Sequence, residues 1–267
     1  MALFSAAAKG DVLKIQSLID SEDKSEDSGG VDVNCSDVSG KTPLHIAAEN
    51  GHLQSVKCLT NHGAKVNVVD ANLQTSVHLC SKKGHLHVVE LLVDEGADIK
   101  IGDKDGFTAL QIASFKGHVD IVKYLVSKGA QLEKCDKKGR TPLSCASQKG
   151  HLEVVEYIVN KGADIEIGDK DGVTALHKAS FNGHLDIVKY LGRKGAQLDK
   201  RDKNDRTPLY WASAEGHLEV VQFLVNEGAG IKIGDKYGVT ALHRASFKGH
   251  VDIVKYLKAI LKSSSFL

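Results

Sequence analysis

From His151 to Val159 the chain reads His-Leu-Glu-Val-Val-Glu-Tyr-Ile-Val, and its apolar residues recur at helical spacing. Just upstream, Thr141-Pro142-Leu143 combines a good N-cap with a proline at the first helical position, where no hydrogen bond is lost. Gly150 follows at a C′ position and stops that first helix early. Gly162 ends the second helix, and Asp136-Lys137-Lys138-Gly139-Arg140 reads as a turn before the first. The pattern therefore predicts a turn, a short helix and a second helix. A helix pair this small cannot bury its apolar face alone, so it must stack on copies of itself.

The copies are present. Thr42, Thr75, Thr108, Thr141, Thr174, Thr207 and Thr240 stand 33 residues apart. A Gly-His pair follows each, from Gly51-His52 to Gly249-His250, and all three prolines directly follow a repeat threonine. The high glycine content is explained by the cap and turn columns. Thr42-Pro43-Leu44-His45-Ile46-Ala47-Ala48 with this period resembles the ankyrin repeat. The resemblance covers essentially the whole chain. It implies an all-α ankyrin-repeat solenoid of helix-turn-helix units with short β-hairpin connections. It also implies a single domain over 1–267: a partial capping unit over 1–37, seven units over 38–261 and a tail over 262–267. The acidic insertion Ser21 to Gly30 in the cap is expected to be a disordered loop.

A 66-residue period overlies the first, since residues 108–173 and 174–239 are near-copies, as expected from duplication of a repeat pair. Some positions break the pattern. Leu73 and Asp205 occupy the turn-glycine column, and leucine tolerates positive φ less well than aspartate. Gly192 falls inside a second helix, at a cost of about 1 kcal/mol relative to alanine. The second unit and the Gly192 helix are therefore expected to be the softer regions.

Composition narrows the function. The chain has 26% charged residues and a formal net charge of +1, which gives no global attraction for nucleic acid or an anionic membrane. The start MALFSAAAKGD lacks the features of a secretory signal. Five cysteines form no CxxC pair and read as reduced thiols of a cytoplasmic or nuclear protein. Eleven of thirteen histidines occupy two repeat columns, which the resemblance assigns to hydrogen bonding within and between units, so no metal site is expected. No phosphate-loop, dinucleotide or nucleophile-elbow motif is present, and no catalytic residue or cofactor is expected.

In the resembled family, function lies on the turn tips and the exposed face of each first helix, which line a concave groove. Carried over by position, the two residues before each Gly-His include Phe115-Lys116, Phe181-Asn182 and Phe247-Lys248. The phenylalanines recur in alternate units, about 20 Å apart at helix-packing distances. They are either anchors for an extended partner or duplicated packing residues. The column before each threonine adds Phe107, Arg140 and Arg206, and the turn tips add Tyr237. Arg140, Arg206 and Lys116 could face an acidic partner, although turn aspartates beside them favour a solvated rim. Trp211 is expected to pack rather than to bind. Asn34 and Asn67 match an asparagine that dioxygenases hydroxylate in this family, with a local hydrogen bond as the favoured alternative. The resulting expectation is a monomeric, non-catalytic scaffold or adaptor for an unidentified protein. A targeting or inhibitory module of a larger assembly is the alternative, and nucleic-acid binding comes after it.

Overall fold

The computed structural model describes residues 1–20 and 31–263. Ser21 to Gly30, including the acidic insertion, and the tail from Ser264 lie outside them. Two compact bodies emerge, Met1–Gln131 and Leu132–Leu267, and each is described by itself. The first holds α1 (Ala2–Lys9), α2 (Val12–Asp20), α3 (Pro43–Glu49), α4 (Leu53–Asn61), α5 (Ser76–Lys83), α6 (Leu86–Asp94), α7 (Ala109–Lys116) and α8 (Val119–Ser127). The second holds α9 (Pro142–Lys149), α10 (Leu152–Asn160), α11 (Ala175–Phe181), α12 (Leu185–Arg193), α13 (Pro208–Glu215), α14 (Leu218–Asn226), α15 (Ala241–Lys248) and α16 (Val251–Ser263). The expected all-α repeat architecture holds in both.

The local chemistry acts where the pattern places it. The Thr141 hydroxyl accepts the Ser144 amide at 3.1 Å, and Thr207 accepts that of Tyr210 at 3.2 Å, capping α9 and α13. Gly150 and Gly216 close the same helices in the left-handed conformation. Within the second body α9 packs on α11, α11 on α13 and α13 on α15, while the second helices stack behind them. Leu143, Val154, Val155 and Ile158 of one repeat, like Leu176, Ile187, Val188 and Leu191 of the next, are fully buried. Burial of such a side chain stabilises by roughly 1.5–3 kcal/mol, so stacking supplies what a lone pair lacks. Cys80 and Cys145 belong to this interior. Burial pushes both thiols up, Cys145 to about 12.

Histidines join neighbouring repeats. In the second body His177 Nδ1 accepts the Thr174 amide at 3.2 Å, and its Nε2–H donates to the Arg206 carbonyl at 3.1 Å. His45 and His78 do the same in the first body, reaching Gln74 and Phe107. The Gly-His histidines reach the other way: His217 Nε2 bonds the Phe181 carbonyl at 2.9 Å, with its ring packed on Gly183. A Cβ on Gly183 would lie 2.5 Å from that ring, which explains glycine there beyond its φ of +73°.

The connections are turns rather than strands. No strand occurs among the described residues, and only an isolated bridge joins Gly234 to Thr240. Each tip is closed by two backbone bonds, as from Asp202 N–H to the Arg206 carbonyl at 3.0 Å and from Asp205 N–H to the Asp202 carbonyl at 2.9 Å. The aspartate Oδ1 accepts two further amides of its own tip, from Asn204 and Arg206. Successive tips share one amide bond, as from Lys203 to the Asp171 carbonyl at 2.8 Å, so no ladder extends.

Leu73 and Asp205 adopt positive φ, +57° and +61°. The Asp70 carboxylate holds the Leu73 turn by accepting the amides of Asn72 and Gln74. Gly192 lies beneath the ring of Phe223, where a Cβ would approach to 3.3 Å, so its missing side chain makes room for the next repeat.

Two predictions follow from this geometry. Leu73→Gly should stabilise the protein by about 1 kcal/mol, because Leu73 is half-exposed and strained in the left-handed region; thermal or urea melts check this. Burial holds the pKa of His45, His78 and His177 below the ordinary imidazole value. The unfolded chain therefore binds protons first as the pH falls below about 6.5, so stability is full above that pH and declines below it. Replacing His177 by Gln, which keeps polar atoms at the site, should flatten that decline in pH-dependent melts.

Candidate functional site

In the second body the first helices α11, α13 and α15 and the turns before them form a cation–aromatic surface. The fourth position after each capping threonine shapes it. This column reads Ile46, Leu79, Ile112, Cys145, Lys178, Trp211 and Arg244. It is aliphatic in the first body and becomes Lys, Trp and Arg toward the end of the second.

A cleft of about 210 Å³ opens here, lined by Val173, Lys178, Phe181, Arg206 and Trp211 with Asp171 at its edge. That is about seven times the volume of a liquid water molecule, enough for one large side chain. The Phe181 ring meets Trp211 edge-on, with centroids 5.2 Å apart at 75°. The Arg206 guanidinium lies 4.0 Å from the Trp211 ring centroid. Asp202, buried in the turn, accepts Arg206 Nε at 2.8 Å and Trp211 Nε1 at 3.3 Å through the same oxygen. Asp169 pairs with Lys178 at 3.1 Å. His177 borders the cleft as a neutral imidazole, because burial lowers its pKa and both ring nitrogens are engaged.

The structure thus brings Phe181 and Arg206 together, with Trp211 between them. Arg140 occupies the equivalent turn position and is held by buried Asp136, at 2.8 Å from Nε and 2.7 Å from a terminal nitrogen. Both arginines are thereby neutralised within their own turns. Phe247 and Tyr237 stand out in the last repeat, at 80% and 79% exposure. Arg244 lies 5.6 Å from the Phe247 ring and Lys236 lies 5.1 Å from that of Tyr237. In the first body Phe107 and Phe115 are half-buried, and the Lys116 ammonium lies 5.9 Å from the Phe115 ring. Asn34 and Asn67 each bridge two repeats: Asn34 Nδ2 donates to the Gly63 carbonyl at 3.1 Å and its Oδ1 accepts the Lys65 amide at 2.8 Å. Asn67 repeats this with Gly96 and Asp98.

Sequence reasoning passed over Lys178 and Arg244 and assigned Trp211 to packing. The overlooked signal was the change of polarity along their column, which is buried at Leu79, Ile112 and Cys145 but carries Lys, Trp and Arg in the last three repeats.

A family model described as ankyrin repeats (3 copies) matches residues 1–70, 59–136, 77–169, 131–202 and 194–263. No curated protein matches the chain. No helix among the described residues is long and apolar enough to cross a membrane.

Trp211 is the sole tryptophan, so its fluorescence reports on this cleft alone. Arg206→Leu removes the cation from the indole and leaves Asp202 buried without its counter-ion. The expected result is a changed Trp211 emission and a loss of about 2–4 kcal/mol of stability in denaturant titrations.

Proposed function

The chain belongs to the ankyrin-repeat family, and on that premise we propose that it is a scaffold or adaptor that binds a partner protein along its first helices and turns. Ankyrin repeats are generally protein–protein interaction modules and typically non-catalytic. The observation that carries the proposal is the half-exposed Phe181–Trp211–Arg206 cluster around the 210 Å³ cleft. Aromatic side chains and arginine are the residues most enriched where protein interfaces concentrate their energy. Both cations of the cleft are fixed by buried or half-buried aspartates, so little side-chain entropy remains to be lost on binding. Phe247 and Tyr237 extend the surface in the last repeat, and Phe107, Phe115 and Lys116 are the matching candidates in the first body. Arg140 and Arg206 act through shape and stacking, because their charge is already answered.

The test is capture of partners from lysate by the purified chain, beside Trp211→Ala and Phe181→Ala variants with matched melting curves. Partners retained by the parent and lost by both variants are expected, with the cleft protected in hydrogen exchange on binding. Identical capture by all three proteins would sink the assignment of the site.

A further inference from the structure

The last repeat carries a cation that the fold leaves unanswered. Lys178 pairs with Asp169 and Trp211 bonds Asp202, in each case the turn aspartate nine residues earlier. Arg244 has Asp235 at the same offset, yet its guanidinium makes no hydrogen bond or ion pair among the described residues, and its Nε is buried without an acceptor. Tyr210 fills the position that histidine holds in four other repeats, and its ring faces the Arg244 guanidinium. Asp235 Oδ1 accepts the amides of Tyr237 and Val239. Arg244 is left between two rings, 6.0 Å from Tyr210 and 5.6 Å from Phe247.

A guanidinium held by aromatic rings keeps its planar fork of donors, and a carboxylate is the acceptor that fits it in two-point fashion. The surroundings share the sign. From Asp235 onward the chain has six Lys and Arg against two Asp. They also supply apolar contact, since Phe247, Tyr237 and Val251 are all exposed. We infer that Arg244 is a carboxylate-recognising subsite, taking an Asp or Glu side chain of a partner peptide whose neighbouring apolar residue lies on Phe247. This rests on the protein-docking function proposed above and adds the chemistry of the partner: an acidic segment with aromatic or aliphatic residues beside the acid. Polypeptide is favoured over nucleic acid because Asp235 and Asp252 interrupt the basic residues and the exposed contact area includes aliphatic Val251.

The test uses the full chain and a random dodecapeptide library displayed on phage, followed by titration of synthetic versions of the enriched peptides. Enriched sequences should place Asp or Glu beside an apolar residue. Arg244→Gln should weaken them about tenfold, the step expected for one charged hydrogen-bonded contact, and Arg244→Lys should restore only part of the loss. A peptide with its acid replaced by the amide should bind the parent weakly and be indifferent to Arg244→Gln. Circular dichroism melts confirm that the variants remain folded. Enriched peptides that lack acids, or that bind Arg244→Gln as tightly as the parent, overturn the subsite while leaving docking at the Trp211 cleft intact. Peptides indifferent to Arg244→Gln, Trp211→Ala, Phe181→Ala and Phe247→Ala alike, or no enrichment at all, overturn both. Arg244-dependent binding of a 20-nucleotide oligo-dT in place of peptides assigns the cation to nucleic acid and overturns the inference.

Discussion

Every repeat of this chain leaves polar atoms that only a neighbouring repeat can satisfy, and that constraint organises the structure within each body. His177 is the example: one ring nitrogen is held by the threonine that caps its own helix, the other by a carbonyl 29 residues downstream. The ring is buried, so an absent partner would cost more than a surface hydrogen bond supplies. The same bond fixes the tautomer and sets the spacing between capping threonine and following turn. Apolar stacking provides most of the free energy, but these directional links set the register.

That register determines what remains available for binding. Residues that cap, turn or stack are identical or nearly so from repeat to repeat, because each has a fixed partner 29 or 36 residues away. The side chains left to vary lie at the turn tips and along one face of the first helix. Lys178, Trp211 and Arg244 occupy one such column, and each finds a different neighbour. The individuality of the molecule is therefore concentrated in a few positions on a scaffold that repeats itself.

The fold was legible in the sequence because its determinants are local and periodic. Thr141-Pro142 and Gly150 specify a helix start and stop without reference to anything distant, and seven copies remove ambiguity. The turns were less legible: Asp202 looked like a surface charge, whereas it is buried and accepts four bonds. Arg206 consequently looked like part of a solvated rim, whereas it is tied to that buried carboxylate. Arg244 escaped notice because its setting depends on Tyr210, one repeat away, whose ring it faces. Pairing between repeats is a property of three dimensions, and residue type at one position does not reveal it.

Cys80 and Cys145 give the architecture a chemical clock. One lies in each body, and both thiols are buried, with their ionisation suppressed by that burial. Only a thiolate reacts at an appreciable rate, so alkylation of either cysteine must await separation of the helices that enclose it. Each sulfur therefore times the opening of its own part of the chain, and a difference between the two labelling rates would measure how unevenly the stack comes apart.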